Sequence, residues 1–324
     1  MTTRREFLGG AAAAATLSAF SVPARAQQGY PDKPIHVVIG FAAGSGADIL
    51  CRFFANRLQE IAGQTVVIEN RPGAVGVIAG NVVAKSKPDG YTILWCGNSI
   101  MVGGKYLVKD MPFDPKKEFV SAGAFLETPF VIAVGAKSPV KNVAELVTFL
   151  KGKTNNRSAY TNPTGQLSTA LFKQRTGVVS ESVSYKTTAD AIGDLSDGTL
   201  DYMILDGTFA VGQVKSGRIR ALAATSSGRI SALPDVPTMQ EAGIADYVFS
   251  PWWGAYLPAG TPQPIVDKVA GWMNQMAKEP ASAKFLDTMA ALPVLDTPKE
   301  MDARLERDRG MWDKLAADAK LSPG

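Results

Sequence analysis

The chain has little of what enzymes and metalloproteins most often use. One histidine, His36, serves all 324 residues. It alternates with Ile35 and Val37 on an apolar run, where a lone imidazole is structural far more often than catalytic. Its isolation excludes a Ser-His-Asp triad and any histidine-rich metal centre. Cysteine is nearly absent, with Cys51 and Cys96 the only two. In an oxidising compartment a bridge is open to them. Cys51 falls in a helix and Cys96 at a strand end, however, where buried free thiols are the commoner outcome, and no bridge is expected. The formal net charge is only +4. Lys and Arg are scattered among Asp and Glu, with no basic stripe interleaved with aromatics, which argues against nucleic acid. Beyond the N-terminus no hydrophobic run is long enough to cross a bilayer. Repeats, low-complexity tracts and flexible linkers are lacking too. Two domains would therefore be joined by short crossing strands, as in hinged binding proteins.

What is there begins with an export pattern. Arg4-Arg5 precede Phe7-Leu8, a small-residue apolar run over residues 9–22, and Ala24-Arg25-Ala26. That is a charged region, a hydrophobic region and an A-x-A cleavage site, so residues 1–26 read as a signal peptide cleaved near Ala26. The paired arginines favour a twin-arginine signal over an ordinary secretory one. Either route ends outside the cytoplasm, in the periplasm. The remaining chain, 46% apolar and 20% charged, has an ordinary globular composition and a length that suits two domains.

The segment 35–50 is the most informative. The apolar run Ile35-His36-Val37-Val38-Ile39 enters a loop of small residues, Gly40 to Ala47, and a helix leaves it. A helix N-terminus offers unpaired N–H groups and the positive end of its dipole, so an anion binds there without any Lys or Arg. Asp48, in the first helical turn, is counted among the ligand-binding residues, with a cap on that loop as its favoured role and a ligand amino group as the alternative partner.

Strands and helices then alternate. Strands are expected over residues 65–69, 91–95 and 130–134, at 183–185 and 201–204, and over 219–224 and 248–257. Arg71-Pro72-Gly73 has Pro and Gly where a type II turn wants them, before a helix over 76–87. Asn142 with Glu145 forms a capping box. A polar loop over 160–166 leads to a helix over 167–175. Thr238 with Glu241 should cap another short helix, and two long helices close the chain, the second from Thr297-Pro298-Lys299-Glu300. This order favours mostly parallel sheet covered by helices, an α/β fold.

Four blocks together carry a resemblance. They are Tyr30-Pro31-Asp32-Lys33-Pro34-Ile35 running into Phe41-Ala42-Ala43-Gly44-Ser45-Gly46-Ala47-Asp48; Val67-Ile68-Glu69-Asn70-Arg71-Pro72-Gly73-Ala74 continuing to Lys87-Pro88-Asp89-Gly90-Tyr91-Thr92; Leu233-Pro234-Asp235-Val236-Pro237-Thr238; and Trp253-Gly254 with Pro258-Ala259-Gly260-Thr261-Pro262. In this order and spacing they resemble the Bug family, the extracytoplasmic solute receptors of tripartite tricarboxylate transporters. The resemblance implies a type II periplasmic binding protein fold, with two α/β domains around a hinged cleft. Domain 1 is expected over 27–126 plus 225–324, and domain 2 over 127–224. It implies a small carboxylate ligand held by main-chain groups and bridging waters, no cofactor, a monomer, and membrane transporter subunits as partners.

The resemblance also assigns the site. Phe41, Gly44, Ser45, Gly46 and Ala47 form the first cradle, although Ala43, Ser45 and Ala47 depart from the family's usual residues and Ala47 lacks a hydroxyl found in many members. Asn162, Thr164, Gly165, Gln166 and Ser168 form the second, from the other domain. Asn98 and Ser99 follow a strand, in the usual cleft position of an α/β sheet. Asp206 does likewise, reading equally as a ligand contact or a helix cap. Tyr185 and Lys186 match a family pair, though a solvated lysine is the commoner finding. Trp252 and Trp253 are neighbours on a strand and point to opposite faces. One packs in the core and the other, Trp253, faces the cleft, where its ring suits an extended or aromatic ligand.

Three functions compete. A receptor would deliver a small carboxylate, an aliphatic or aromatic dicarboxylate among the candidates, to a transporter. A sensor would report the same ligand to a membrane histidine kinase. A nucleotide-dependent enzyme is disfavoured, because Gly44-x-Gly46 lacks the third glycine of the dinucleotide fingerprint and no nucleophile–base pair is evident. The expectation is the uptake receptor.

Overall fold

The computed structural model describes residues 29–318, so the export signal lies outside the described residues. The chain divides into an N-terminal unit ending at Asp32 and a body that begins at Lys33. The body is built on two sheets. The first has six strands in the spatial order Leu292–Pro293, Phe119–Glu127, Trp252–Pro258, Thr92–Gly97, Ile35–Ile39, Val66–Asn70. Ile35–Ile39 pairs in parallel with both of its neighbours. Four of its five residues are buried, as expected of a β-branched run covered on both faces. Trp252–Pro258 runs antiparallel between Thr92–Gly97 and Phe119–Glu127.

The second sheet has five strands in the order Glu181–Ser184, Arg157–Tyr160, Tyr202–Asp206, Phe130–Gly135, Ile219–Ala224. Helices cover both sheets, giving two α/β lobes. The chain crosses between them twice, after Glu127 and before Trp252. The crossings run side by side, with Thr128 N–H donating to the Pro251 carbonyl at 2.7 Å. Residues 225–249 keep to the second sheet before the return. Ala224 bridges to Thr238, and Phe249 N–H donates to the Thr225 carbonyl at 3.0 Å. The expected strand over 248–257 therefore begins only at Trp252. One apolar core continues through both lobes, from Val38, Leu94 and Cys96 to Ile132, Phe172 and Tyr202. Cys51 and Cys96 are buried free thiols, and burial pushes both above the usual thiol range.

Several local expectations are corrected. Gly73 has φ 124° and ψ 155°, so it is not the third residue of a type II turn. The turn comes two residues later. Gly76 N–H donates to the Gly73 carbonyl at 2.9 Å, and both central residues, Ala74 and Val75, have positive φ of 44° and 55°. Close packing explains the displacement, because a Cβ on Gly40 would lie 2.4 Å from the Gly76 Cα. The helix expected over 76–87 is correspondingly Val77–Ala84. Thr238 and Glu241 do exchange capping bonds of 2.7 and 3.1 Å, but they close a turn rather than a helix. The chain ends in three helices, Gln263–Lys278, Pro280–Thr288 and Pro298–Asp318. Pro280 separates the first two, since it lacks the N–H that a continuing helix needs.

Candidate functional site

The parallel strands of the first sheet end together at Ile39, Asn70 and Gly97. Their following loops therefore share one edge, where α/β sheets bind ligands. Asp48 organises this edge from the first turn of the helix Gly46–Ala62. Its carboxylate accepts Gly44 N–H at 2.8 Å, Asn70 Nδ2 at 2.8 Å and Arg52 Nε at 2.9 Å. Asn70 Nδ2 also reaches the Phe41 carbonyl at 2.9 Å, tying the two loops together. Arg52 foremost, with these N–H groups, holds the Asp48 carboxyl down at about 2. Asp48 is 2% exposed and its charge is matched by Arg52, so it shapes the loop and takes no cation from outside.

This staple decides which loop donors remain. Gly44 N–H is spent on Asp48, and Ser45 Oγ caps Asp48 N–H at 3.2 Å. Gly44 N–H and Ser45 Oγ thus both have partners within the loop itself. Gly46 and Ala47 occupy the first two helical positions, whose N–H groups have no acceptor within the helix. These two amides are the donors that this helix start offers. The half-buried Phe41 ring lies 5.0 Å from the Trp253 ring at a 30° tilt. Trp252 points the other way, into the core, where its Nε1 donates to Asp308 at 2.7 Å.

The second lobe offers another helix start. The helix runs Pro163–Thr176, not 167–175, because Asn162 is its N-cap and Pro163 fills the first position. Asn162 Oδ1 accepts Gly165 N–H at 2.8 Å, and the Asn162 carbonyl accepts Gln166 N–H at 3.1 Å. Pro163 has no N–H, so Thr164 carries the one amide left over in this turn. Ser168 is fully buried, with its hydroxyl 2.9 Å from Tyr247 Oη.

The remaining predicted residues have partners or stand apart. Asn98 is 6% exposed and turns toward the C-terminal helix, with Nδ2 on Asp308 at 2.9 Å, while Ser99 beside it is half-buried. Tyr185 Oη donates to Asp194 at 2.5 Å, a bond that pushes the phenol up to about 12. Lys186 is exposed. Asp206 caps the helix Gly207–Lys215 by accepting Phe209 N–H at 3.2 Å, and burial raises its carboxyl above the usual range. Of its two readings, the cap is the one with a partner. The structure thus joins Phe41 to Trp253, and it brings Asn98 and Thr164 from opposite lobes to one small cavity. Glu127 and Ser250, which sequence reasoning missed, line that cavity too. The arrangement presents uncharged main-chain donors from two helix starts and suits capture of an anion.

Comparisons agree with this geometry. Residues 50–309 match the model of the tripartite tricarboxylate transporter family receptors. The chain is 32% identical to the protein BugT of Bordetella pertussis over 87% of its own length and 88% of that relative. Among solved structures, it is similar to Rpa4515 of R. palustris with adipate, at 30% identity and a TM-score of 0.74, covering 91% of this chain and all of that one. It is also similar to MatC of Rhodopseudomonas palustris with bound malate, at 26% identity and a TM-score of 0.68, covering 88% and 99%. Two α/β lobes, joined twice and sharing this likeness over nearly their whole length, lead to one assignment. The chain belongs to the tripartite tricarboxylate transporter family receptors, which are periplasmic solute-binding proteins and not enzymes.

Proposed function

We propose that this protein is an exported receptor that captures a small carboxylate between two hinged lobes and delivers it to the membrane subunits of a tripartite tricarboxylate transporter. The observation that carries the reading is the pair of helix starts, with Gly46 and Ala47 at the first two helical positions on one lobe and Thr164 at the second on the other, positions whose N–H groups have no acceptor within the helix. Backbone amides at a helix N-terminus favour negative charge and cost no reorganisation when an anion arrives. The first lobe spans residues 33–127 and the returning strands and helices from Trp252, and the second holds the five-stranded sheet. Among the described residues no helix is long and apolar enough to cross a membrane. With the N-terminal export pattern, this supports a periplasmic protein.

Ligand class follows from the two ends of the site. One carboxylate sits at the Gly46–Ala47 amides, and the Phe41–Trp253 wall packs against the carbon skeleton. The adipate and malate bound by the two similar structures support a dicarboxylate. The wall admits an aromatic skeleton as well as an aliphatic one. A thermal-shift panel of aliphatic and aromatic mono- and dicarboxylates tests this. A ligand at about 100 times its Kd stabilises the fold by roughly 2.7 kcal/mol. No shift with any carboxylate would refute the reading, and so would turnover of a hit.

A further inference from the structure

The two crossings between the lobes meet at a small, partly open cavity of about 20 Å³, room for one water. Its walls hold Glu127 from the end of a first-lobe strand, Ser250 from the return crossing, Thr164 from the second lobe, and Asn98. The bond from Asn98 Nδ2 to Asp308 orients that amide and leaves Oδ1 facing away as an acceptor. Asn98 Oδ1 and Ser250 Oγ are both buried and have no hydrogen-bond partner. Buried polar atoms without partners are rare and mark a missing group.

The charges around Glu127 come from the C-terminal helix and the segment before it. Arg304 is held by Asp296 through two bonds of 2.6 and 2.9 Å. Arg307 is largely exposed and lies 3.4 Å from Asp308. Each arginine thus has its own aspartate, and Glu127, 5% exposed, is the carboxyl left over. Ionised, it is an acceptor only and offers nothing to Asn98 Oδ1. It would also be a buried charge without a dedicated counterion, an expensive arrangement. Protonated, it becomes a donor.

We infer that Glu127, Asn98 and Ser250 form a proton-binding site at the lobe junction, in which neutral Glu127 supplies, directly or across one water, the donor that Asn98 Oδ1 lacks, while the Ser250 hydroxyl, a donor itself, also accepts. Burial pushes the Glu127 carboxyl up to about 7, with Asp296 adding to the rise and Arg304 and Arg307 opposing it. The proton therefore exchanges near neutral pH, at the place where the lobes pivot. The junction gains a negative charge as pH rises and loses a hydrogen bond with it.

The test is a carbon-13 NMR titration of the glutamate side-chain carboxyls in the whole protein. One carboxyl, absent from the spectrum of Glu127→Gln, should titrate near pH 7 while exposed glutamates titrate near their ordinary value of about 4.3. Asn98→Leu removes an acceptor for the proton, and Ser250→Ala removes the other. If they hold it, the midpoint falls by roughly 0.7 pH unit in at least one of them, the equivalent of one neutral hydrogen bond. A purely apolar burial of Glu127 would leave the midpoint unmoved in both. That result, or titration of Glu127 below about pH 5 in the unaltered protein, overturns the inference.

Discussion

Replacing Gly46 by proline removes one anion donor while keeping the helix. Proline has no N–H, yet it is favoured at the first helical position, because that amide has no helical acceptor and its fixed φ suits the helix. The preceding residue must be extended, and Ser45 already has φ −70° and ψ 161°. Folding stability should therefore hold or rise by up to about 1 kcal/mol, since proline restricts the unfolded chain. Binding should not hold. Gly46 supplies one of two free amides in the first cradle, and a hydrogen bond to a charged group is worth about 1.5–3 kcal/mol. At about 1.4 kcal/mol per tenfold, the carboxylate with the largest thermal shift should bind at least ten times more weakly to Gly46→Pro. Gly46→Ala, which keeps the N–H, should bind within about twofold of the parent if the methyl is accommodated. Calorimetric titration reads the affinities, and urea unfolding reads the stability. Unchanged affinity in a folded Gly46→Pro protein would show that the anion is held elsewhere.

Glu127→Gln should be more stable than the parent above neutral pH. The parent's folded pKa of about 7 lies above an unfolded value near 4.3. As pH rises between those values the unfolded chain gives up its proton first, so the parent loses stability that the glutamine variant keeps. The difference should approach about 3.7 kcal/mol well above pH 7 and vanish below about pH 4. Unfolding curves that stay parallel from pH 4 to 8 contradict it. Asp48→Ala should cost about 2 kcal/mol or more by leaving the Gly44 and Asn70 donors without their shared carboxylate, and should also weaken carboxylate binding through the slack loop. The Asp48 contribution in the parent is present above about pH 4 and fades as pH falls toward 2, the depressed folded value. A pH-independent difference between the two proteins below pH 4 would contradict that. Ser168→Ala should cost about 1 kcal/mol of stability and leave ligand affinity unchanged, since its hydroxyl serves Tyr247 in the core. A large loss of affinity would restore Ser168 to the cleft.

The sequence already exposed the frame where local chemistry decides it. The strand–loop–helix unit at residues 35–62 was legible because a β-branched run, small residues and an acidic residue in the first helical turn all point the same way. Asp48 as a loop cap was legible for the same reason. Asn162-Pro163 was misread, although Asn at the cap and Pro at the first position are themselves a start signal, and the second cradle shrank to Thr164 once the helix began earlier. The turn at Ala74–Gly76 was not legible, because two non-glycine residues adopt positive φ only under the close approach of Gly40 and Gly76. The surroundings of Ser168 and Glu127 were not legible for a common reason. Whether a side chain faces a cleft, the core or a junction depends on what packs against it, here Tyr247 in one case and the C-terminal helix in the other.

A nitrogen-15 amide spectrum recorded through a titration with the tightest-binding carboxylate tests the central claim most directly. The amide protons of Gly46, Ala47 and Thr164 should move strongly downfield together and saturate at one equivalent of ligand. If those three stay in place while the ligand binds, and the response gathers instead around charged side chains such as Lys186 or Arg307, neutral main-chain capture of the anion is wrong.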